Sequence, residues 1–266
     1  MHKIFLITFF FQIINAHIPL YIIYSHSHKT LYHSYFLPSL KDNFELHVHT
    51  TEQSCASAEF KADGWKETME QKVTMIINGI QEQWGTYMIY SDVDIQFFDS
   101  IEDEIKSLLE QYDLVIQKDN PKGSVCAGFF ACRCNEKTLQ LWQDVLTTMQ
   151  NNKKYKGDQA ALNYCLRTCN NPYNLAWTHL PATYFGAGTF SGTQWKEGQP
   201  LHVPENPKMH HANWTIGIKN KIAQLNLVKY TVLKRKMKTK NQATSSFSRG
   251  KYAAIKKSTI ITTANP

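Results

Sequence analysis

Residues 229–266 contain no aspartate and no glutamate, yet they hold ten lysines and arginines. Subtracting those ten from the formal charge of +7 leaves −3 for residues 1–228. The body is therefore mildly acidic, which argues against a basic nucleic-acid-binding body; no nucleic-acid partner is expected. The chain also lacks a long apolar run. Its best stretch, Ile4 to Ile14, is too short for a membrane span of roughly 20 residues. Preceded by Lys3 and followed by Asn15-Ala16, that stretch fits a secretory signal peptide over residues 1–16. An exported or luminal product is then expected, or a cytoplasmic one if the stretch is instead part of the fold. Cysteine is sparse: six in 266 residues is not the density of a disulfide-built scaffold. Cys132-x-Cys134 is a poor match to the C-x2–4-C spacing of zinc sites. Cys126, Cys132 and Cys134 share strand parity and read as core thiols. There is no internal repeat.

What is present is enough apolar and aromatic material, 42% and 12%, for a sizeable core. Residues 19–24, 44–49, 113–117 and 124–132 read as strands, as does the run through Tyr90, and a late strand falls within 174–181. Between them the apolar period changes to that of helices. Met69, Val73, Ile76, Ile77 and Ile80 share one helical face, and so do Leu139, Trp142, Val145, Leu146 and Met149 behind an Asn135 cap. A short helix at 101–112 carries acids in its first turn, where the helix dipole favours them. Another opens at Asp158, a candidate N-cap. Isolated strands alternating with helices indicate an α/β sandwich. The glycine-rich stretch 180–195 is expected to loop. After about residue 228 the composition is that of a basic, unstructured tail.

The unusual feature is YSDVDIQFF, residues 90–98. Asp92 and Asp94 flank one valine where a buried strand is ending. On a strand, residues i and i+2 face the same side, roughly 7 Å apart. Two neighbouring carboxylates repel and are costly to desolvate, and a divalent cation removes that cost. Oxygen ligands suit Mg²⁺ or Mn²⁺. In open α/β sheets, ligands bind beyond the carboxyl ends of the strands. Taken singly, such a pair is also compatible with an exposed turn.

YSDVDIQFF, then SVCAGFFACR, GDQAAL and HANWTIGIKNK, in that order, resemble the nucleotide-diphospho-sugar transferases, glycosyltransferases of the GT-A type. The resemblance runs from about Leu20 to Leu225. It implies a GT-A-like, Rossmann-like mixed sheet sandwiched by helices in a single domain, residues 17–228, with 229–266 as tail. It also implies transfer of a sugar from a nucleoside diphosphate sugar, UDP by default, to a hydroxyl of a glycan, protein or lipid acceptor. The transfer would be metal-dependent and retaining. Carried over residue by residue, Asp92 contacts the donor sugar or ribose and also borders the metal. Asp94 ligates Mn²⁺ or Mg²⁺, and His211, in preference to His210, completes the metal site. Lys221, in preference to Lys219, meets the diphosphate. Asp158 and Gln159 lie beside the reacting sugar. Gly128 allows close approach of the donor, and Lys72, with Gly64 and Trp65, faces donor or acceptor. Cys126-Ala127 replaces the family's polar pair, which puts donor-sugar selectivity in question. Asn213-Trp214-Thr215 is a glycosylation sequon, but it lies within the site motif and is expected to stay unmodified.

Two other readings fit parts of the sequence. A glycoside hydrolase would use paired carboxylates across its bond, and metal dependence separates it from a transferase. A non-catalytic binding protein with a degenerate site would tolerate Cys126-Ala127. The basic tail also suits contact with an anionic surface.

Overall fold

A computed structural model describes residues 17–52, 64–152, 154–155, 157–168 and 173–257, with side chains of the last helix described to residue 239. The apolar segment 4–14 therefore lies outside the described residues, as do Cys55 and Cys169.

The chain enters on β1 (Pro19–Ser25) and passes through a helical connector that contains α1 (Lys29–Leu31). It continues through β2 (Glu45–Thr51), α2 (Trp65–Glu82), β3 (Tyr87–Ser91), β4 (Ile95–Phe97), α3 (Glu102–Leu109) and β5 (Leu114–Lys118). Next come β6 (Val125–Arg133), α4 (Glu136–Asn151), α5 (Asp158–Thr168), β7 (Trp177–His179) and β8 (Tyr184–Gly186). The last elements are α6 (Ala187–Ser191), β9 (Met209–His211) and α7 (Ile218–Lys257). The main sheet has six strands in the order β2-β1-β3-β6-β5-β7. Only β6 runs against the others. A smaller sheet, β4-β9-β8, stands beside it. The result is the mixed α/β sandwich in one domain that the strand–helix alternation indicates.

Strand alternation sends side chains to both faces. Tyr21, Met88, Tyr90, Ile116, Phe130 and Cys132 pack under α2, α4 and α5. Leu20, Ile22, Ile89, Val115, Phe129 and Ala131 face the other way, against the connector, α3 and the start of α7. The amphipathic faces expected of the helices are the buried ones. Val73, Ile76 and Ile80 of α2, and Trp142, Val145 and Met149 of α4, are within 1% of full burial. Asn135 caps α4 through a reciprocal box: its carbonyl-side oxygen accepts the Thr138 N–H at 3.1 Å, and the Thr138 hydroxyl accepts the Asn135 N–H at 3.3 Å.

Several expectations differ from the structure. Asp92 to Asp94 are not on a strand: β3 ends at Ser91, β4 starts at Ile95, and a turn joins them. The glycine-rich stretch is partly ordered, forming β8 and α6. Residues 229–257 are helical, continuing α7, because Val228 and Val232 extend its buried face against Phe185 and Val203. A local composition test sees only the lysines there and not the packing partner.

The β5–β6 ladder slips between Ile116, paired with Phe130, and Gln117, paired with Cys126. This bulge removes Ala127, Gly128 and Phe129 from pairing with β5. An odd insertion reverses side-chain parity. Val125 and Ala127 therefore join Cys132 and Cys134 on the α2/α4/α5 face, and the parity expected to unite Cys126 with those two thiols is broken. Cys126 turns instead toward His211.

Candidate functional site

The bulge is where the site is built. The slip leaves the Ala127 N–H to find a partner outside β5, while the β3–β6 pairing runs on past Ser91. The Asp92 N–H donates to the Gly128 carbonyl at 2.7 Å, and the Ala127 N–H donates to Gln159 Oε1 at 3.3 Å. The smaller sheet adds a third pin: the Ala212 N–H donates to the Asp94 carbonyl at 2.8 Å, fixing the second aspartate beside β9.

These pins converge three candidate ligands. Atoms of Asp92, Asp94 and His211 all lie within 4.8 Å of one another. His211 Nε2 stands 3.2 Å from Asp94 Oδ1 and 3.8 Å from Asp92 Oδ2. The turn brings the two carboxylates closer than the 7 Å that flat strand geometry gives. Lys221, in the first turn of α7, is ion-paired with Asp94 Oδ2, whereas Lys219 is exposed. His210 points away from the carboxylates and meets Gln224 at 3.1 Å. His211 and Lys221 thus lie at the two carboxylates, whereas His210 and Lys219 do not contact them.

Asp94 and His211 are buried, and charge pairing decides their ionisation. Burial alone would raise the Asp94 pKa, but the Lys221 and His211 charges outweigh it and hold the carboxyl well below its usual range. Burial would likewise lower the His211 pKa. Asp94 reverses this and lifts it to about 10.

A second cluster adjoins the first. Lys72, 4% exposed, places Nζ 3.0 Å from Asp92 Oδ1 and 2.8 Å from Asp158 Oδ2. Its ammonium lies 4.6 Å from the centre of the Tyr90 ring, and the Tyr90 hydroxyl donates to Asp92 Oδ1 at 2.6 Å. Burial pulls the Lys72 pKa down, but Asp158 and Asp92 outweigh it and raise it well above the usual lysine value. Asp158 is the first residue of α5, so it engages Lys72 from within the helix and not from the cap position. Trp65 lies over Gly157, directly before Asp158; a Cβ there would come 2.3 Å from the indole ring. All eight residues singled out as donor, metal or reacting-centre candidates therefore sit in one connected region.

The donor set suits a divalent cation of the Mn²⁺ or Mg²⁺ type: two carboxylates and an imidazole. Space at the cluster depends on Gly128. A Cβ there would fall 2.3 Å from His211 Cε1 and 2.6 Å from Asp92 Oδ2. Gly128→Ala is expected to displace one of them, costing about 1–3 kcal/mol of stability through overpacking. Any binding of Mn²⁺ and a nucleotide at this cluster should fall with it. Calorimetric titration of Mn²⁺ and UDP into the variant checks this; wild-type binding would show that the cluster has room to spare.

Sequence reasoning missed several contributors. Gln117, fully buried in β5, accepts from His211 Nδ1–H through Oε1 at 2.9 Å and so orients the imidazole from behind. A lone glutamine in the apolar run LVIQ was the available signal. Asp119, 3% exposed, accepts from the Trp214 indole at 2.8 Å and from Asn120 at 3.1 Å. Burial pushes its pKa up despite these bonds and one from Gln159. Trp214 itself adopts a left-handed backbone, φ 52°, and its ring occupies the space above Gly188. His28, in the connector after β1, feels Asp94, Asp92 and Lys221; burial, then the Lys221 charge, lowers its pKa. Gln117, Asp119 and His28 belong to no motif that local spacing would reveal, and Trp214, although inside HANWTIGIKNK, was given no role there. Asn213, in the sequon, is half-buried and turns its amide toward Cys126 Sγ at 3.7 Å.

The family model for nucleotide-diphospho-sugar transferases matches residues 35–225, more than half of the chain. The chain belongs to this family. The matched region holds every residue of the two clusters. No curated protein sequence matches the chain. Among solved structures, it is similar to a glycosyltransferase involved in the glycosylation of the major capsid of PBCV-1, at 9% identity and a TM-score of 0.52, over 79% of this chain and 100% of that one. It is also similar to GlyE of Streptococcus pneumoniae TIGR4, at 12% identity and a TM-score of 0.48, over 85% of this chain and 64% of that one. WbbM, a bifunctional glycosyltransferase, matches at 10% identity and a TM-score of 0.48, over 76% of this chain. The chain spans 46% of the length of WbbM. At these identities the likeness concerns the fold, which is that of GT-A glycosyltransferases.

Proposed function

We propose that this member of the nucleotide-diphospho-sugar transferase family moves a sugar from a UDP-sugar to an acceptor hydroxyl, with retention at the anomeric carbon. The carrying observation is the convergence of Asp92, Asp94 and His211 within 4.8 Å, bordered by Lys221 on one side and the Lys72–Asp158 pair on the other.

Asp92, Asp94 and His211 would hold Mn²⁺ or Mg²⁺. Such an ion supplies Lewis-acid stabilisation of the departing diphosphate. Lys221 is the nearest mobile cation, partly exposed and long enough to swing from Asp94 to an incoming phosphate as a point charge. Lys72 is too deeply buried for that. It sets the spacing of Asp92 and Asp158, so that Asp158 can accept hydrogen bonds from sugar or acceptor hydroxyls. Gln159 spends its oxygen on the bulge backbone and thereby braces the floor beneath the sugar. Gln117 keeps His211 turned toward the carboxylates. Cys126 and Ala127 leave that floor apolar where the family carries a polar pair, so donor selectivity rests on contacts outside it. Residues 1–16 would direct the product to the secretory pathway, and 17–228 would form the catalytic unit.

The test is a thermal-shift titration of the full chain with UDP, with and without Mn²⁺. At a hundredfold excess over Kd, binding to the native state adds about 2.7 kcal/mol. For a domain of this size that is a rise of about 5–10 °C, expected only when both UDP and Mn²⁺ are present. The absence of any shift with UDP, GDP or CDP would favour a nucleotide-independent carbohydrate-binding protein, the reading that Cys126-Ala127 keeps open.

A further inference from the structure

α7 has two apolar faces, and among the described residues the body covers one of them. Leu225, Val228 and Val232 pack inward against the two cores they join. Arg235 ties the same side down by donating to the carbonyls of Val203 at 3.1 Å and Pro204 at 2.6 Å. On the opposite side Tyr230, Leu233 and Met237 are 62%, 50% and 59% exposed. Their i, i+3, i+7 spacing puts them on one stripe, within about 60° of arc at 3.6 residues per turn. Lys229 and Lys236 flank that stripe on one side, and Lys234 and Lys238 on the other; all four are exposed. No acid interrupts them, since residues 229–266 have ten lysines and arginines and no carboxylate side chain.

We infer that α7 seats on an anionic lipid surface, its apolar stripe entering the headgroup boundary and its lysines meeting lipid phosphates. Two features select this occupant. A helix lying in the plane of a bilayer interface needs an apolar stripe bordered by cations, and that is the arrangement here. The charge asymmetry, −3 on residues 1–228 against ten cations on the segment that follows, presents the helix and not the body to a negative surface. A nucleic acid would reward the lysines but gain nothing from exposed Leu233 and Met237. The inference stands independently of the sugar-transfer reading.

The experiment is flotation of the full chain with vesicles of phosphatidylcholine containing phosphatidylserine, and with phosphatidylcholine alone. Flotation with the mixed vesicles at low salt, much reduced at high salt, is expected. The neutral vesicles report any contribution from the apolar segment 4–14. Lys234→Gln/Lys236→Gln should lower the partition coefficient roughly fivefold per lysine. Leu233→Ser/Met237→Ser should weaken binding at least as strongly. All four side chains are exposed, so melting temperature and the UDP/Mn²⁺ shift should stay at wild-type values. Equal flotation with neutral and anionic vesicles would overturn the inference, and so would undiminished binding by both variants. Duplex DNA binding that survives Leu233→Ser/Met237→Ser, without vesicle binding, would replace the bilayer with a nucleic acid.

Discussion

On the proposed reading of a metal-dependent UDP-sugar site, Asp94→Asn should lower turnover by at least about a thousandfold, the equivalent of some 4 kcal/mol of transition-state stabilisation. The variant keeps the volume and one acceptor oxygen of the aspartate but removes the charge. That charge serves two partners: Lys221 Nζ and, at 3.2 Å, His211 Nε2. Both cations then face a neutral amide, so the cluster keeps only the Asp92 carboxylate and loses the more buried of its two negative charges. The fold should persist, because Lys221 is partly exposed and can turn to water. The backbone pin from Ala212 to the Asp94 carbonyl also does not depend on the side chain. Steady-state kinetics with Mn²⁺ varied, alongside circular dichroism, is the check. Wild-type metal dependence in a folded Asp94→Asn enzyme would remove Asp94 from the metal site.

Lys72→Met is expected to damage stability more than any other single change near the site. Removing one member of a buried ion pair leaves the other uncompensated, typically at a cost of 3–5 kcal/mol. Lys72 faces two partners: Asp158, 5% exposed, and the more open Asp92. For a domain of this size the cost corresponds to a fall in melting temperature of about 10 °C. The sign of the pH dependence follows from the raised pKa of Lys72. A group whose folded pKa lies above its unfolded value contributes fully below the unfolded value, about 10.4 for lysine, and loses that contribution as pH rises through the folded value. At neutral pH the contribution is complete, so the full loss should be visible there. Lys72→Met/Asp158→Asn should recover much of it, since the orphaned carboxylate is gone, and the coupling measured by that double-mutant cycle isolates the pair. A single variant as stable as wild type would mean that water already reaches Asp158.

Much of this could be read along the chain. Period-two and helical apolar patterns located every strand of the central sheet and its long covering helices, because burying those patterns leaves few alternatives to a sandwich. The order of the motifs pointed to Asp92, Asp94, Asp158, His211 and Lys221 through their resemblance to the family, and the fold brings these five side chains into one region. The pattern of thiols at 126, 132 and 134 was misleading for a physical reason. Parity holds only along an unbroken strand, and three residues of β6 leave the β5 ladder between Gln117 and Ile116.

The sequence by itself determined the layers, the amphipathic faces and the identity of the charged residues, since each follows from local periodicity or side-chain chemistry. Tertiary structure decided which charges meet. Lys72 lies 20 residues before Asp92 and joins it to Asp158. Gln117 turns His211 from 94 residues away. The helix from Ile218 to Lys257 survives its run of lysines because Val228 and Val232 find Phe185 and Val203 across the fold. Such contacts depend on which surfaces the folded chain brings together, and a window of neighbouring residues contains no record of them.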